Sequence, residues 1–258
     1  MRRFLLVNPR SGDDRPSAEE LAAAARERGV EAHILAHGEN VGEVARHADA
    51  DVVGVAGGDG TLAAVAEAAL ALDRLFVCVP FGTRNHFARD LGLDRADPIG
   101  ALAAFDGTER RIDVGRASGR LFLNNVSLGL YAQLVHRREH HVRRREALAR
   151  IRAWFILLTH REPLGITIDG GSTESRLVLV ANNAYVLRPP TIGARERLDE
   201  GLLHLYVVYR GVDERAGERF VVDAAAGRLA AAVDGEPEAL ETPIEFTIEP
   251  RALRVLVP

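Results

Sequence analysis

Over its first 115 residues the chain alternates short apolar runs with amphipathic stretches. Phe4–Val7 and Leu75–Val79 have no polar face, which suits strands covered on both sides. Ser17-Ala-Glu-Glu20 is a capping box that opens a helix running to Arg28, with Gly29 as its stop. Glu31–Leu35 reads as a strand, Val41–His47 as a helix, Asp51–Ala56 as a strand and Leu62–Leu72 as a helix. This β-α-β alternation predicts a parallel sheet with ligand loops at the C-terminal ends of its strands. Asn8-Pro9-Arg10-Ser11-Gly12, Gly57–Thr61 and Pro80–Thr83 all follow strands, so three polar loops converge on one edge.

After about residue 109 the rhythm changes. Arg110–Arg116, Leu121–Ser127, Leu164–Asp169, Ser175–Asn182, Leu202–Tyr209, Arg219–Asp223, Leu229–Val233 and Ile244–Glu249 read as strands, several of them parted by Gly, Ser or Asp turns. A helical segment interrupts them near 133–158. The pattern predicts an α/β domain over 1–117 and a mostly β domain over 118–249 that carries this insert.

A length of 258 residues suits one large or two modest domains. The formal charge of −4 argues against a polyanion binder, so no nucleic-acid partner is expected. The single cysteine, Cys78, lies in an apolar run; it excludes a disulfide framework and reads as a buried, inert thiol. Met1-Arg-Arg is followed by only four apolar residues, which is no signal peptide, and Trp154–Leu158 is too short to span a bilayer. The expected location is the cytoplasm, with peripheral contact at the inner membrane face. That contact would come from the basic run Arg137–Arg145, which leads into Trp154–Leu158 and fits anionic headgroups. A solvated charged face is the other reading of the same run.

The most specific chemistry lies at Gly57-Gly58-Asp59-Gly60-Thr61, between a strand and a helix. Glycines let an anion approach backbone N–H groups, and the helix start adds free donors and a positive dipole end. A polyphosphate fits. An acid in such a loop repels phosphate unless a divalent cation lies between them or the acid orients a hydroxyl.

Several stretches, in order, then resemble the catalytic domain of the diacylglycerol kinase family, the group of bacterial soluble lipid kinases, sphingosine kinases and ceramide kinases. They are Asn8-Pro9 with Ser11-Gly12, Gly57–Thr61, Pro80–Gly92, Asp113, Asn124–Gly129 and Asp234-Gly235-Glu236. The resemblance implies an N-terminal nucleotide-binding α/β domain like that of NAD kinases and diacylglycerol kinases. It also implies a C-terminal β-sandwich, an active site in the cleft, and a last strand near 250–258 that returns to the first domain. It implies ATP and Mg²⁺ as cofactors, a lipid such as diacylglycerol as acceptor, and leaves room for a dimer. By position it makes Glu236 the general base, with Asp59 beside it in catalysis. Asp59 and Asp113 would serve the active-site metal, and Glu200 a structural metal. Asn8, Arg10, Ser11, Gly12, Gly57, Gly58, Asp59, Gly60, Thr61, Thr83, Asn85 and His86 would meet the nucleotide.

The chain departs from the family pattern at Ala63-Ala64, where the family has Asn-Glu, and at His86, where it has Asp. The region between Tyr209 and Asp234 is also shorter than the family's. Two other readings follow: a nucleotide- or lipid-binding protein of the same fold with weakened catalysis, and an NAD kinase-like activity.

Overall fold

The structure is a computed structural model that describes residues 1–12, 16–82, 85–129, 164–188 and 193–258. The predicted helical insert near 133–158, with Arg137–Arg145, lies outside the described residues. The chain divides into two compact units. The first comprises Met1–Val114, Tyr185–Gly201 and Glu249–Pro258; the second comprises Gly115–Ala184 and Leu202–Ile248. The inclusion of 185–201 in the first unit leaves no mark on the strand rhythm from which the 117/118 boundary was drawn. Among the described residues, no helix is long and apolar enough to cross a membrane.

The first unit is built on parallel strands. β1 (Arg3–Val7) lies between β2 (Glu31–Ile34) and β3 (Val52–Gly57), and β3 pairs with β4 (Leu75–Pro80). The last strand, β16 (Ile244–Val257), reaches β4 in parallel at Val255 opposite Phe76. The sheet order β2-β1-β3-β4 reverses direction between β1 and β3. That reversal opens a crevice beyond the carboxyl ends of these two strands, where open α/β sheets bind ligands.

Local chemistry sets the helices. For α1 (Ala18–Glu27) both capping-box bonds form: the Glu20 N–H donates to Ser17 Oγ (3.1 Å) and the Ser17 N–H to Glu20 Oε2 (2.7 Å). Gly29, at φ +72°, ends the turn. Asn40 caps α2 (Val41–His47) through the Glu43 N–H. The third helix, α3 (Asp59–Ala71), starts three residues before the expected Leu62, because the Gly-Asp-Gly-Thr loop itself winds into its first turn. Leu21, Leu62, Val65, Phe76, Phe87 and Leu102 are fully buried in this unit. Gly54 leaves room for Phe105, whose ring would lie 2.5 Å from a Cβ there.

The second unit is antiparallel. One sheet has the order β12-β11-β10-β7-β14-β15, formed by β7 (Asn125–Gly129), β10 (Leu177–Asn182), β11 (Leu203–Val208), β12 (Val212–Gly217), β14 (Arg228–Val233) and β15 (Glu236–Glu241). In the other, β13 (Arg219–Ala224) pairs with the start of β16 and with β8 (Leu164–Ile168), which pairs with β9 (Gly171–Ser175). Val126, Val180 and Leu205 from the first sheet share a buried core with Ile166, Val222 and Phe246 from the second, which is the expected sandwich.

Four differences from the sequence reading have physical causes. The run Leu121–Ser127, expected as one strand, is split into β6 (Arg120–Phe122) and β7, because Leu123 and Asn124 donate to a side chain instead of a ladder. β12 was missed because it is an exposed edge strand with charged residues on both faces. β15 was missed because it too is an edge strand whose side chains are mostly polar. Ile244–Glu249 and Leu253–Val257 are one strand, interrupted in pattern by Arg251 at φ +51°. In addition, the Pro80–Gly92 stretch contains α4 (His86–Asp90), and Gly100–Asp106 forms a 3-10 helix.

Candidate functional site

Two of the three predicted loops meet at the crevice between β1 and β3. The Asn8 N–H donates to the Ala56 carbonyl at 2.9 Å, and Asn8 Nδ2 donates to Thr61 Oγ1 at 3.0 Å. Asn8 Oδ1 accepts from the Arg10 N–H (3.1 Å), and its carbonyl accepts from the Ser11 N–H (3.1 Å). One asparagine therefore folds the first loop and ties it to the second. Gly12 lies against Phe81: a Cβ there would come within 2.2 Å of the ring. That contact joins the first loop to the residues after β4.

Gly58 caps α3 without a side-chain bond, so the first N–H groups of a 13-residue helix have no side-chain cap. A Cβ on Gly58 would meet only Ser11 Oγ, at 4.0 Å, so the space above it is open. Gly82 sits beside it; a Cβ there would lie 3.2 Å from Gly58 Cα. Asn85 is 1% exposed and left-handed at φ +42°. Its Nδ2 donates to the Gly82 carbonyl at 2.7 Å, and its buried Oδ1 has no hydrogen-bond partner among the described residues. A helix N-terminus whose N-cap residue has no side chain, a cradle that a side chain would fill and an orphaned acceptor fit a phosphate-bearing ligand with hydroxyl or amino donors. His86 begins α4 next to it. Thr83 lies outside the described residues.

Asp59 occupies the first turn of α3, where the helix dipole favours a carboxylate. Its charge also reaches Cys78: burial, and secondly Asp59, push that thiol above its ordinary value. Mg²⁺ is typically held by one or two carboxylates with phosphate oxygens and waters. Among the described residues no three His, Cys, Asp or Glu gather as a metal site.

Asp113 has a second employment. Buried on β5 (Thr108–Ala117), it accepts the Arg251 N–H on Oδ1 and the Gly201 N–H on Oδ2, each at 2.7 Å. It thereby fastens both returning segments of the first unit, and it holds the residue next to Glu200 by its backbone.

A further cluster was not foreseen. Arg195 Nε donates to Asp90 Oδ2 at 2.8 Å, with side chains 0% and 1% exposed. Arg89 bonds both Asp90 Oδ1 and the Gly193 carbonyl. These contacts anchor 193–195 to α4, just behind Asn85. A lone Asp and two arginines in separate segments give no spacing signal.

In the second unit, Asp234 and Gly235 form the turn between β14 and β15, and Glu236 follows, exposed. Asn124, Asn182, Asn183 and Asp234 are buried at that end of the sheet.

Residues 2–117 match the family model of the diacylglycerol kinase catalytic domain. This is the segment that supplies β1 through β5 and the three loops described above. Over 76 residues the chain is 49% identical to a protein named "Probable lipid kinase YegS-like" from Pseudomonas aeruginosa, covering 28% of this chain and 24% of that protein. Over 89 residues it is 36% identical to the diacylglycerol kinase of Bacillus subtilis, covering 33% of this chain and 29% of that one. These curated relatives are thus matched over about a quarter of their length. A diacylglycerol kinase structure from Bacillus anthracis str. Sterne superimposes with a TM-score of 0.70 at 19% identity, covering 100% of this chain and 97% of that one. At that identity the likeness establishes the fold alone: an α/β domain followed by a β-rich part with two sheets.

Proposed function

We propose that the protein is an ATP-dependent lipid kinase that transfers the γ-phosphate to a lipid hydroxyl. The observation that carries this is the pairing of the Asn8–Gly12 and Gly57–Thr61 loops at the sheet's reversal, with an uncapped helix N-terminus and open space over Gly58. The family match over 2–117 and the kinase names of the relatives support it.

In this reading the α3 N-terminus and the loop amides bind the phosphates. Asn85 Oδ1 accepts from a donor on the nucleotide, and His86 lies beside a phosphate. Asp59 and Asp113 would hold a Mg²⁺ or its waters together with phosphate oxygens, and that ion would supply charge neutralisation on the transferred group. Asp113 also fixes the segments around it through the Gly201 and Arg251 amides. Glu236 takes the proton from the lipid hydroxyl, that oxygen bonds to the γ-phosphorus, and the bond to the ADP oxygen breaks. The acceptor is a lipid such as diacylglycerol, and Arg137–Arg145 would bring the protein to an anionic membrane.

ATP consumption with diacylglycerol, sphingosine or NAD offered as acceptor tests this. Turnover with a lipid and none with NAD is expected. Glu236→Gln should lower turnover by roughly 10²–10⁴-fold, as for a positioned general base, with ATP binding nearly intact. Turnover on NAD alone would move the protein to the NAD kinase-like reading. ATP binding without turnover on any acceptor would make it a binding protein, the reading favoured by Ala63, Ala64 and His86.

A further inference from the structure

β14 ends at Val233, β15 begins at Glu236, and Val233 faces Glu236 across the ladder. Asp234-Gly235 is therefore a two-residue hairpin loop. Both residues have positive φ, +48° and +88°, as a type I′ turn requires. Asn-Gly would serve such a turn equally well, so backbone geometry does not explain why an acid stands here.

Its neighbours do. The Asp234 carboxylate is buried, 6% exposed, and faces three successive amides. The Leu123 N–H donates to Oδ2 at 2.8 Å; the Asn124 and Asn125 N–H groups donate to Oδ1 at 2.7 and 3.1 Å. The Asp234 N–H in turn donates to the Asn125 carbonyl at 2.9 Å. An asparagine would offer one acceptor oxygen and push an N–H₂ group at one of these donors. Only a carboxylate meets all three, with charge-assisted bonds.

The segment it grips is held from the other side too. Asn182 Nδ2 donates to the Leu123 carbonyl at 3.1 Å, the Asn182 N–H to the Asn124 carbonyl at 3.0 Å, and Asn183 Nδ2 to Asn182 Oδ1 at 3.0 Å. Residues 123–125 are thus pinned between the ends of β10 and β14. The turn that carries Glu236 is bonded to this fixed segment, while Glu236 itself is exposed.

We propose that Asp234 is a positioning residue: by gathering the Leu123, Asn124 and Asn125 amides it sets the turn that presents Glu236. This rests on Glu236 as the proton acceptor. Asp234 touches no reacting atom. It acts by narrowing the places the Glu236 carboxylate can occupy.

The test is a kinetic cycle on the full chain with ATP and diacylglycerol-containing vesicles. Asp234→Asn should lower kcat by roughly 10–10²-fold, the scale of a misplaced catalytic group, with little change in the KM for ATP. The double variant Asp234→Asn/Glu236→Gln should be no slower than Glu236→Gln alone, because a residue acting through another adds nothing once that one is gone. Amide hydrogen exchange at 123–125 should accelerate in Asp234→Asn. If Asp234→Asn does not fold, Gly235→Ala keeps the three bonds and strains the turn, and should show the same non-additivity with Glu236→Gln.

If Glu236→Gln is slow but the effects multiply, the positioning role is overturned and the base role stands. Unchanged exchange at 123–125 in a folded Asp234→Asn protein also overturns it. If Glu236→Gln turns over like wild type, the base reading fails and takes this proposal with it.

Discussion

The two units handle polar groups in opposite ways at their candidate functional ends. In the first, the β1 and β3 loops leave backbone donors uncapped at the start of α3, and glycine keeps the space above them open. In the second, Asp234, Asn182 and Asn183 tie side chains to backbone and to each other inside the protein. If the first arrangement binds a phosphate as proposed, damage there should fall on binding. The second binds buried side chains to backbone, so damage there should fall on stability and, on the proposal above, on the aim of Glu236.

The largest expected effect lies in the second unit. Asn182→Leu removes two side-chain hydrogen bonds from a buried cluster, and at about 1–3 kcal/mol for each group left unsatisfied should cost about 3 kcal/mol of stability. Urea unfolding measures it, and nucleotide affinity in the folded fraction should not change. A stable Asn182→Leu protein would break the contrast.

Gly58→Val tests the other side. Gly58 has an ordinary φ of −82° and open space around it, so a side chain there meets no wall. The variant should fold normally and lose nucleotide binding by about 10²-fold, equivalent to about 2.7 kcal/mol. Titration with ATP, beside a melting curve, separates the two. Unchanged affinity in a folded protein would remove the phosphate reading of this loop.

The smallest effect belongs to a surface pair in the first unit. Arg254 grips Glu109 with two 2.9 Å bonds, Nε to Oε1 and Nη2 to Oε2, and also reaches the Asp73 carbonyl. The hydrogen bond from Arg254, opposed by desolvation and aided by its charge, lowers the Glu109 carboxyl below the usual range. A lowered folded value means the pair's stabilisation is present above the unfolded carboxyl pKa and is lost as pH falls through the folded one. The side chains are 36% and 25% exposed, so after solvent screening Glu109→Gln should cost about 0.5 kcal/mol at pH 7. Unfolding curves of the two proteins should converge at acid pH. A difference that persists there would mean that shape, not charge, is what Glu109 supplies.

Cys78 gives a further check on the first unit's core. Burial raises its thiol well above the ordinary value, so the native protein should resist alkylation at neutral pH and react only when unfolded.

How much was legible varies with how local the cause is. Helix α1 was readable because its cap is written within four residues, Ser17 with Glu20. The buried parallel strands were readable because apolar runs without alternation suit little else. The Gly57–Thr61 turn into α3 was readable because glycine, acid and helix start are consecutive. β9, β12 and β15 were not, because an edge strand keeps its ladder bonds while its side chains stay polar. The split at Leu123–Asn124 was not either, since its cause sits more than a hundred residues away.

By itself, then, the sequence determined the elements of the first unit and the β character of the second, and it singled out Gly57–Thr61 as the candidate ligand loop, because each follows from neighbours along the chain. Only the tertiary structure decided what the buried acids do. Asp113 and Asp234 are alike on paper, an acid at the end or edge of a strand. In the fold one fastens Gly201 and Arg251, and the other gathers Leu123, Asn124 and Asn125. A carboxylate acquires its role from the donors around it, and distant segments bring those donors.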